Sequence, residues 1–330
     1  MDPCSSDFVE HTRHLFVDVA QGSAIATGQR PARRAVFRKL HGIAHGRMKI
    51  GSACPVELRH GIFACENYDL WLRFSSDVAP DAPDSGNGTI GVAMKLFGIT
   101  GPTLATVDPQ SPTADLLLQN HDVFFVDTGH DMCVFTDLAL KGRIQDWFPD
   151  HPETKAILAE MQKREESVLT ATYWSVLPYA CGPGVAVKYR LSPEATGGTR
   201  APDDDPNRLR SDLAVRLAPG EAAFTLEIQR PLPGQALPID RATQRWAEAS
   251  APFVRVARIE IPKQDVQIEG QEVYGEALAF SPWRVPEANR PLGSIAESRR
   301  VAYPASAAIR HYVNGVPEAE PHKPRPAGKT

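Results

Sequence analysis

The chain has 330 residues, 42% of them hydrophobic and 23% charged, with 36 basic and 40 acidic side chains and a formal net charge of −4. That is enough chain to bury a full core without a staple, and the charge balance excludes the basic footprint of a nucleic-acid or anionic-membrane binder. No run reaches the ~20 apolar residues of a membrane span, and the first residues carry no secretory signal pattern, so the expectation is a cytoplasmic protein.

In chain order, residues 1–33 read as a helical N-terminal arm, its helix running from Ser5 to a stop at Gly28. Residues 34–315 form the main body. Alternating stretches predict strands over Ala44 to Ile50 and Asp69 to Ser75, followed by a Pro/Asp/Gly-rich loop over 79–88 and a strand from Ile90 to Phe97. Asp115 to Val126 is strongly apolar and reads as a buried strand, interrupted by Gln119, Asn120 and His121. The opening proline, early Glu153 and the spacing of Ile157, Leu158 and Met161 predict an amphipathic helix over Pro152 to Ser167. Val185 to Leu191, Ala222 to Gln229 and Val254 to Ile261 read as further strands, and Ser192 to Ser211 as an exposed loop. The proline-rich residues 316–330 read as a disordered tail. Many strands with helices at both ends predict an α+β chain built on an antiparallel β-barrel.

The five cysteines, Cys4, Cys54, Cys65, Cys133 and Cys181, are odd in number and lack metal or redox spacing, so they read as reduced thiols. His11 and His14 share a helix face without an evident third ligand and read as a solvated face. His41 and His45 on a regular strand would stand about 13 Å apart, too far to share one metal ion. Phosphate-loop, dinucleotide, serine-elbow and H-E-x-x-H motifs are all absent.

Chemistry concentrates near the C-terminus, in Ala279-Phe280-Ser281-Pro282, then Ser298-Arg299-Arg300-Val301-Ala302-Tyr303-Pro304, then Arg310. On a helix, Arg299, Tyr303 and Arg310, four and seven residues apart, share one face and can meet one flat cofactor. Alone, that pattern also fits a solvated helix.

This constellation resembles the haem catalase superfamily, in which A-F-x-P precedes R-x-x-x-Y and a second arginine follows the tyrosine by seven residues. Further segments agree in the same order: Arg34-Ala35-Val36-Phe37-Arg38-Lys39, Leu72-Arg73-Phe74-Ser75, Gly91-Val92-Ala93-Met94-Lys95, and Asp115 to Phe125. Together they span roughly residues 30 to 315, and the short remainder after them resembles the small, catalase-related branch without a C-terminal flavodoxin-like domain.

The resemblance implies haem b, with Tyr303 as the iron's proximal ligand and Arg299 holding the phenolate, since a phenol of pKa near 10 needs a cation beside it to stay ionised. It implies Arg34, Arg73 and Arg310 around the propionates, and Ser75 near the distal pocket. Val36 and Phe124 are candidate apolar lining, though a plain core role suits each equally. Phe37 stands where the family has its distal histidine, and Gln119, with Asn120 beside it, where the family has an asparagine. Phe37 cannot shuttle a peroxide proton, so the expectation is poor hydrogen peroxide disproportionation and a more apolar pocket. The resemblance implies an enzyme acting on a peroxide or apolar organic substrate, as a peroxidase or a hydroperoxide-converting lyase or isomerase. A non-enzymatic haem sensor, store or scaffold is the alternative. Gln119, Asn120, His121 or, were the strand bulged, His41 are the candidates to assist distally, and a homodimer is the expected assembly.

Overall fold

The computed structural model describes residues 3–86, 88–194, 200–318 and 320–326. Nine strands are present among them: β1 (Lys39–Ile50), β2 (Asn67–Ser76), β3 (Ile90–Phe97), β4 (Thr113–Gln119), β5 (Tyr173–Trp174), β6 (Tyr179–Ala180), β7 (Ala186–Pro193), β8 (Ala222–Gln229) and β9 (Phe253–Ile261). They pair antiparallel in the order β5-β4-β3-β2-β1-β9-β8-β7-β6, and β5 also pairs with β7. Eight strands therefore close a barrel, with β6 appended to β7. Closure removes the exposed edges that an open sheet would present.

The barrel is closed because its strands have an apolar inward face. Leu70, Leu72, Phe74, Met94, Leu96, Leu116, Leu118, Leu191, Phe224, Leu226, Ile228, Ile259 and Ile261 pack into one cluster of buried side chains. Register slips at Leu40/Gly42 in β1, where His41 is the extra residue, and opposite Leu226/Glu227 of β8, where Val256 of β9 is, bend β1 and β9, as tight closure requires. Gly42 takes φ 154°, and a Cβ there would stand 2.7 Å from Leu213.

Helices lie outside. The N-terminal arm is α1 (Pro3–Arg13), a π-helical stretch (His14–Gln21) and α2 (Gly22–Ala26). It ends at Gly28, whose φ of 95° stops a helix at no steric cost. Then come α3 (Gly129–Leu140), α4 (Pro152–Met161), α5 (Arg208–Leu217), α6 (Gln271–Ala277) and α7 (Ser294–Asn314). Thr128 and Asp131 form a reciprocal capping box that starts α3. The Gly129 amide then donates to Ser294 Oγ at 2.9 Å, fixing the start of α3 against the start of α7. No helix among the described residues is long and apolar enough to cross a membrane.

Five expectations need correction. The apolar run after Gln119 does not continue β4: Phe124, Phe125 and Val126 leave the sheet and pack against α3 and α4. The helix expected to Ser167 ends at Met161, and the loop expected over 192–211 becomes α5 at Arg208, while residues 195–199 lie outside the described residues.

The tail is not free where it is described. Glu320 is buried and pairs with Lys95 Nζ at 2.8 Å, and Arg325 donates to the Gly270 carbonyl at 2.6 Å. Residues 319 and 327–330 lie outside the described residues. Finally, Cys4 and Cys133 are not reduced thiols but a disulfide, closed across 129 residues and joining α1 to α3.

Candidate functional site

A cavity of about 520 Å³ lies between the barrel wall, α3, α7 and the N-terminal arm. That size falls within the roughly 300–1,000 Å³ of small-molecule and cofactor sites. Strand alternation builds its barrel side. Because side chains alternate faces, the inward set Leu72, Phe74, Met94 and Leu116 fills the core, and the outward set faces the cavity. Cross-strand register lines these up in two rows, Ser75–Gly91–Gln119 and Arg73–Ala93–Leu117. The middle strand contributes a glycine and an alanine, so the rows leave room at their centre.

Phe37 fills part of that room. It precedes β1 rather than lying on it, at φ 53°, a left-handed conformation uncommon for a bulky residue. A Cβ on Gly91 would come within 2.8 Å of the Phe37 ring, so the glycine is what admits the ring. Val36 and Phe124 also line the cavity, with Phe16 and Thr12 from the arm and Phe135 from α3.

From α7 come Arg299, Tyr303 and Arg310, all lining the cavity. Arg299 Nη2 donates to Tyr303 Oη at 2.8 Å, one helical turn away. Burial works against the Arg299 charge, but the phenols of Tyr303 and of Tyr179 outweigh it and push its pKa up. Tyr179, on β6, is itself buried and its phenol is pushed upward by that burial. Ser298 Oγ is buried without a hydrogen-bond partner.

Arg34, Arg73 and Arg310 converge at one end. All three draw on Glu276, near the C-terminus of α6. Its carboxylate lies 3.1 Å from Arg34 Nη1 and 3.0 Å from Arg73 Nη2, with Arg33 at 3.6 Å. Arg310 donates to the Glu276 carbonyl and, at 3.2 Å, to that of Leu278, which also accepts from Arg34 at 2.6 Å. The cations thus satisfy carbonyls that the end of α6 leaves open. Burial raises the Glu276 carboxyl's cost of ionising, yet Arg73, Arg34 and Arg33 overcome it and hold its pKa at about 2. Burial together with mutual repulsion lowers the pKa of Arg34 well below normal, and burial lowers that of Arg310 to about 10.

Four guanidinium groups around one carboxylate leave a buried excess of positive charge. Arg73 Nε and Arg310 Nε are also buried without hydrogen-bond partners. That end of the cavity fits a ligand bearing carboxylates.

At the other polar corner, Gln119 Nε2 is a buried donor without a partner. Asn120 does not share this role. Its Oδ1 accepts the Ile90 amide at 3.0 Å and its Nδ2 donates to Glu165 at 2.7 Å, outside the cavity lining. His121 is likewise absent from the lining and lies 3.7 Å from both Asp122 and Glu160. β1 is bulged beside His41, but this turns the imidazole to Ser76 Oγ at 3.0 Å and towards Asp84, away from the cavity.

The sequence reading overlooked Asp77, the carboxylate in the lining among the described residues. It follows Arg73 and Ser75 at the two-residue spacing of one strand face, just past the end of β2. Burial pushes its carboxyl pKa upward, partly offset by a hydrogen bond from the Thr89 amide at 3.0 Å.

No protein-family model matches this chain, and no curated protein matches it. Solved structures do. A fungal catalase determined at 1.9 Å superposes with a TM-score of 0.67 at 16% identity, over 89% of this chain and 63% of that one. Catalase A from Saccharomyces cerevisiae gives a TM-score of 0.67 at 15% identity, over 89% of this chain and 65% of that one. The chain has the catalase fold. It spans less than two thirds of the length of either of these catalases.

Proposed function

We propose that the cavity holds haem b and that the chain acts on a peroxide or organic hydroperoxide as a haem-dependent enzyme of the catalase-related type. The observation that carries this reading is the Arg299–Tyr303 hydrogen bond facing a largely apolar cavity whose far end is crowded with arginines. When bound, ferric haem would supply redox activation of the substrate's O–O bond.

The chain's own residues do the rest. Tyr303 would ligate the iron through its phenol oxygen, to which Arg299 Nη2 donates a charge-assisted hydrogen bond at 2.8 Å. Arg34, Arg73 and Arg310 take the propionates, whose negative charge answers the local excess of guanidinium. Phe37, Val36 and Phe124 keep water from the reacting face and favour an apolar substrate. Ser75 and Gln119 offer polar contacts, with Gln119 Nε2 a free donor to a peroxide oxygen. No imidazole lines the cavity among the described residues, so proton transfer falls to Asp77, whose raised pKa brings it nearer the working pH of an acid–base group.

Hydrogen peroxide disproportionation is accordingly poor, because Phe37 cannot move a proton between the two oxygens. That same residue favours the second reading, a haem-binding protein that senses, stores or presents haem without turnover.

The test is the visible spectrum of the haem-reconstituted chain beside Tyr303→Phe, followed by a panel of alkyl and fatty-acid hydroperoxides. A ferric high-spin spectrum that changes in the variant, with rapid hydroperoxide consumption, is the expected result. Haem binding with no turnover of any peroxide selects the second reading. A spectrum indifferent to Tyr303 removes both.

A further inference from the structure

Cys4 and Cys133 are buried and joined, and His11 approaches the same point. One ligand atom from each of the three residues lies within 4.8 Å of the others. A disulfide needs no imidazole beside it. The His11 ring stacks on His14 with centroids 5.7 Å apart and, among the described residues, takes no hydrogen bond. Two sulfurs and one imidazole nitrogen are the donor set that tetrahedral zinc prefers, with ligand atoms roughly 3.5–4 Å apart. His11 is half-buried, so the cluster is partly open to solvent on its side, and water would be the fourth ligand.

We propose that Cys4, His11 and Cys133 form a redox-controlled zinc site. In the oxidised chain the two sulfurs are bonded to each other. Reduction by a phosphine breaks that bond: the phosphine takes an oxygen from water to become its oxide, and two thiols result. One Zn²⁺ then replaces the two thiol protons, which are released to solvent, and binds both thiolates and the neutral His11 imidazole.

The placement gives the site a task. Cys4 and His11 belong to α1, and Cys133 to α3. Further along the arm, Thr12 and Phe16 line the cavity. Phe8 packs so closely on Gly129, beside Cys133's helix start, that a Cβ there would lie 2.4 Å from its ring. Disulfide and zinc are thus two ways of keeping the same wall of the cavity in place, one for oxidising and one for reducing conditions.

The experiment uses the full chain, haem-loaded, with and without phosphine reduction. Zinc is titrated by calorimetry, and each thiol's alkylation is mapped by mass spectrometry. Reduced protein is expected to take up one zinc per chain and to lose alkylation at Cys4 and Cys133, while Cys54, Cys65 and Cys181 are unaffected. Oxidised protein takes up none there. His11→Gln, which leaves the disulfide and its packing intact, should weaken zinc binding by more than the ~10–100-fold that loss of a second-shell partner costs. No zinc uptake on reduction overturns the proposal, as does uptake that leaves Cys4 and Cys133 open to alkylation or is indifferent to His11→Gln.

Discussion

The ring of Phe37 rests on the backbone of Gly91, so closely that a Cβ at 91 would stand 2.8 Å from Cε1. This contact sets what the barrel side of the cavity presents. A phenyl ring there excludes water and offers no proton. Phe37→His would put an imidazole in the same place and is expected to raise hydrogen peroxide turnover by ~10²-fold or more, the usual worth of a positioned acid–base group. Oxygen evolution from the haem-reconstituted variant measures it. An unchanged rate together with an unchanged spectrum would mean that Phe37 does not face the reacting peroxide.

Glu276 is the carboxylate shared by Arg33, Arg34 and Arg73. Glu276→Gln leaves these cations uncompensated, a change that costs about 3–5 kcal/mol when one member of a buried pair is removed. Haem propionates would restore carboxylates to the cluster, so the loss should be clearly smaller in the haem-loaded chain. Urea midpoints of the variant and the parent, each with and without haem, give the comparison. Equal losses in both forms would place the propionates elsewhere.

Particular residues show what could and could not be read along the chain. β3 and β8 were legible to the residue, because each is a short alternating run bounded by turn residues. Asp115 to Val126 was overread, since an apolar stretch looks the same whether it continues a strand or leaves it to cover two helices. The R-x-x-x-Y register placed Arg299, Tyr303 and Arg310 on one face of one helix, since local spacing determines it. Glu276 and Asp77 gave no such signal. Their roles depend on partners brought from distant points in the chain: Arg34, Arg73 and Arg310 for one, the cavity face of β2 for the other. Cysteine connectivity is equally silent in spacing, and α1 meets α3 only in the fold. The tail's proline-rich composition hid Glu320, which is held by Lys95 and lies 3.5 Å from Arg284.

Asp77→Asn separates proton transfer from haem binding. The amide keeps the size of the side chain and can still accept from the Thr89 amide, so the haem spectrum should be unchanged. Hydroperoxide turnover should fall by ~10²–10⁴-fold. The parent's rate should also show a pH dependence from a carboxyl raised above its ordinary range, and the variant should lack it. A variant that keeps both the rate and the pH profile would remove Asp77 from the reaction.

His41 gives the fold an acid-sensitive point outside the cavity. Its imidazole is fully buried, and burial is the main reason its pKa falls to about 4, with Asp84 pulling upward and Lys39, Arg73 and Arg210 pushing down. Between the ordinary value of 6.5 and 4 the unfolded chain binds a proton there that the folded chain does not. Stability contributed by neutral His41 is therefore complete above pH 6.5 and is lost as pH falls towards 4, by roughly 3 kcal/mol in all. Asp115, raised to about 6 chiefly by burial, works in the opposite direction, so the parent's curve alone does not isolate the histidine. The difference between parent and His41→Asn does, because Asp115 is common to both. That difference, taken from urea midpoints at pH 7, 5.5 and 4.5, should shrink in the parent's disfavour as the pH is lowered. A difference that stays constant with pH would mean that His41 gains its proton in the folded chain as readily as in the unfolded one.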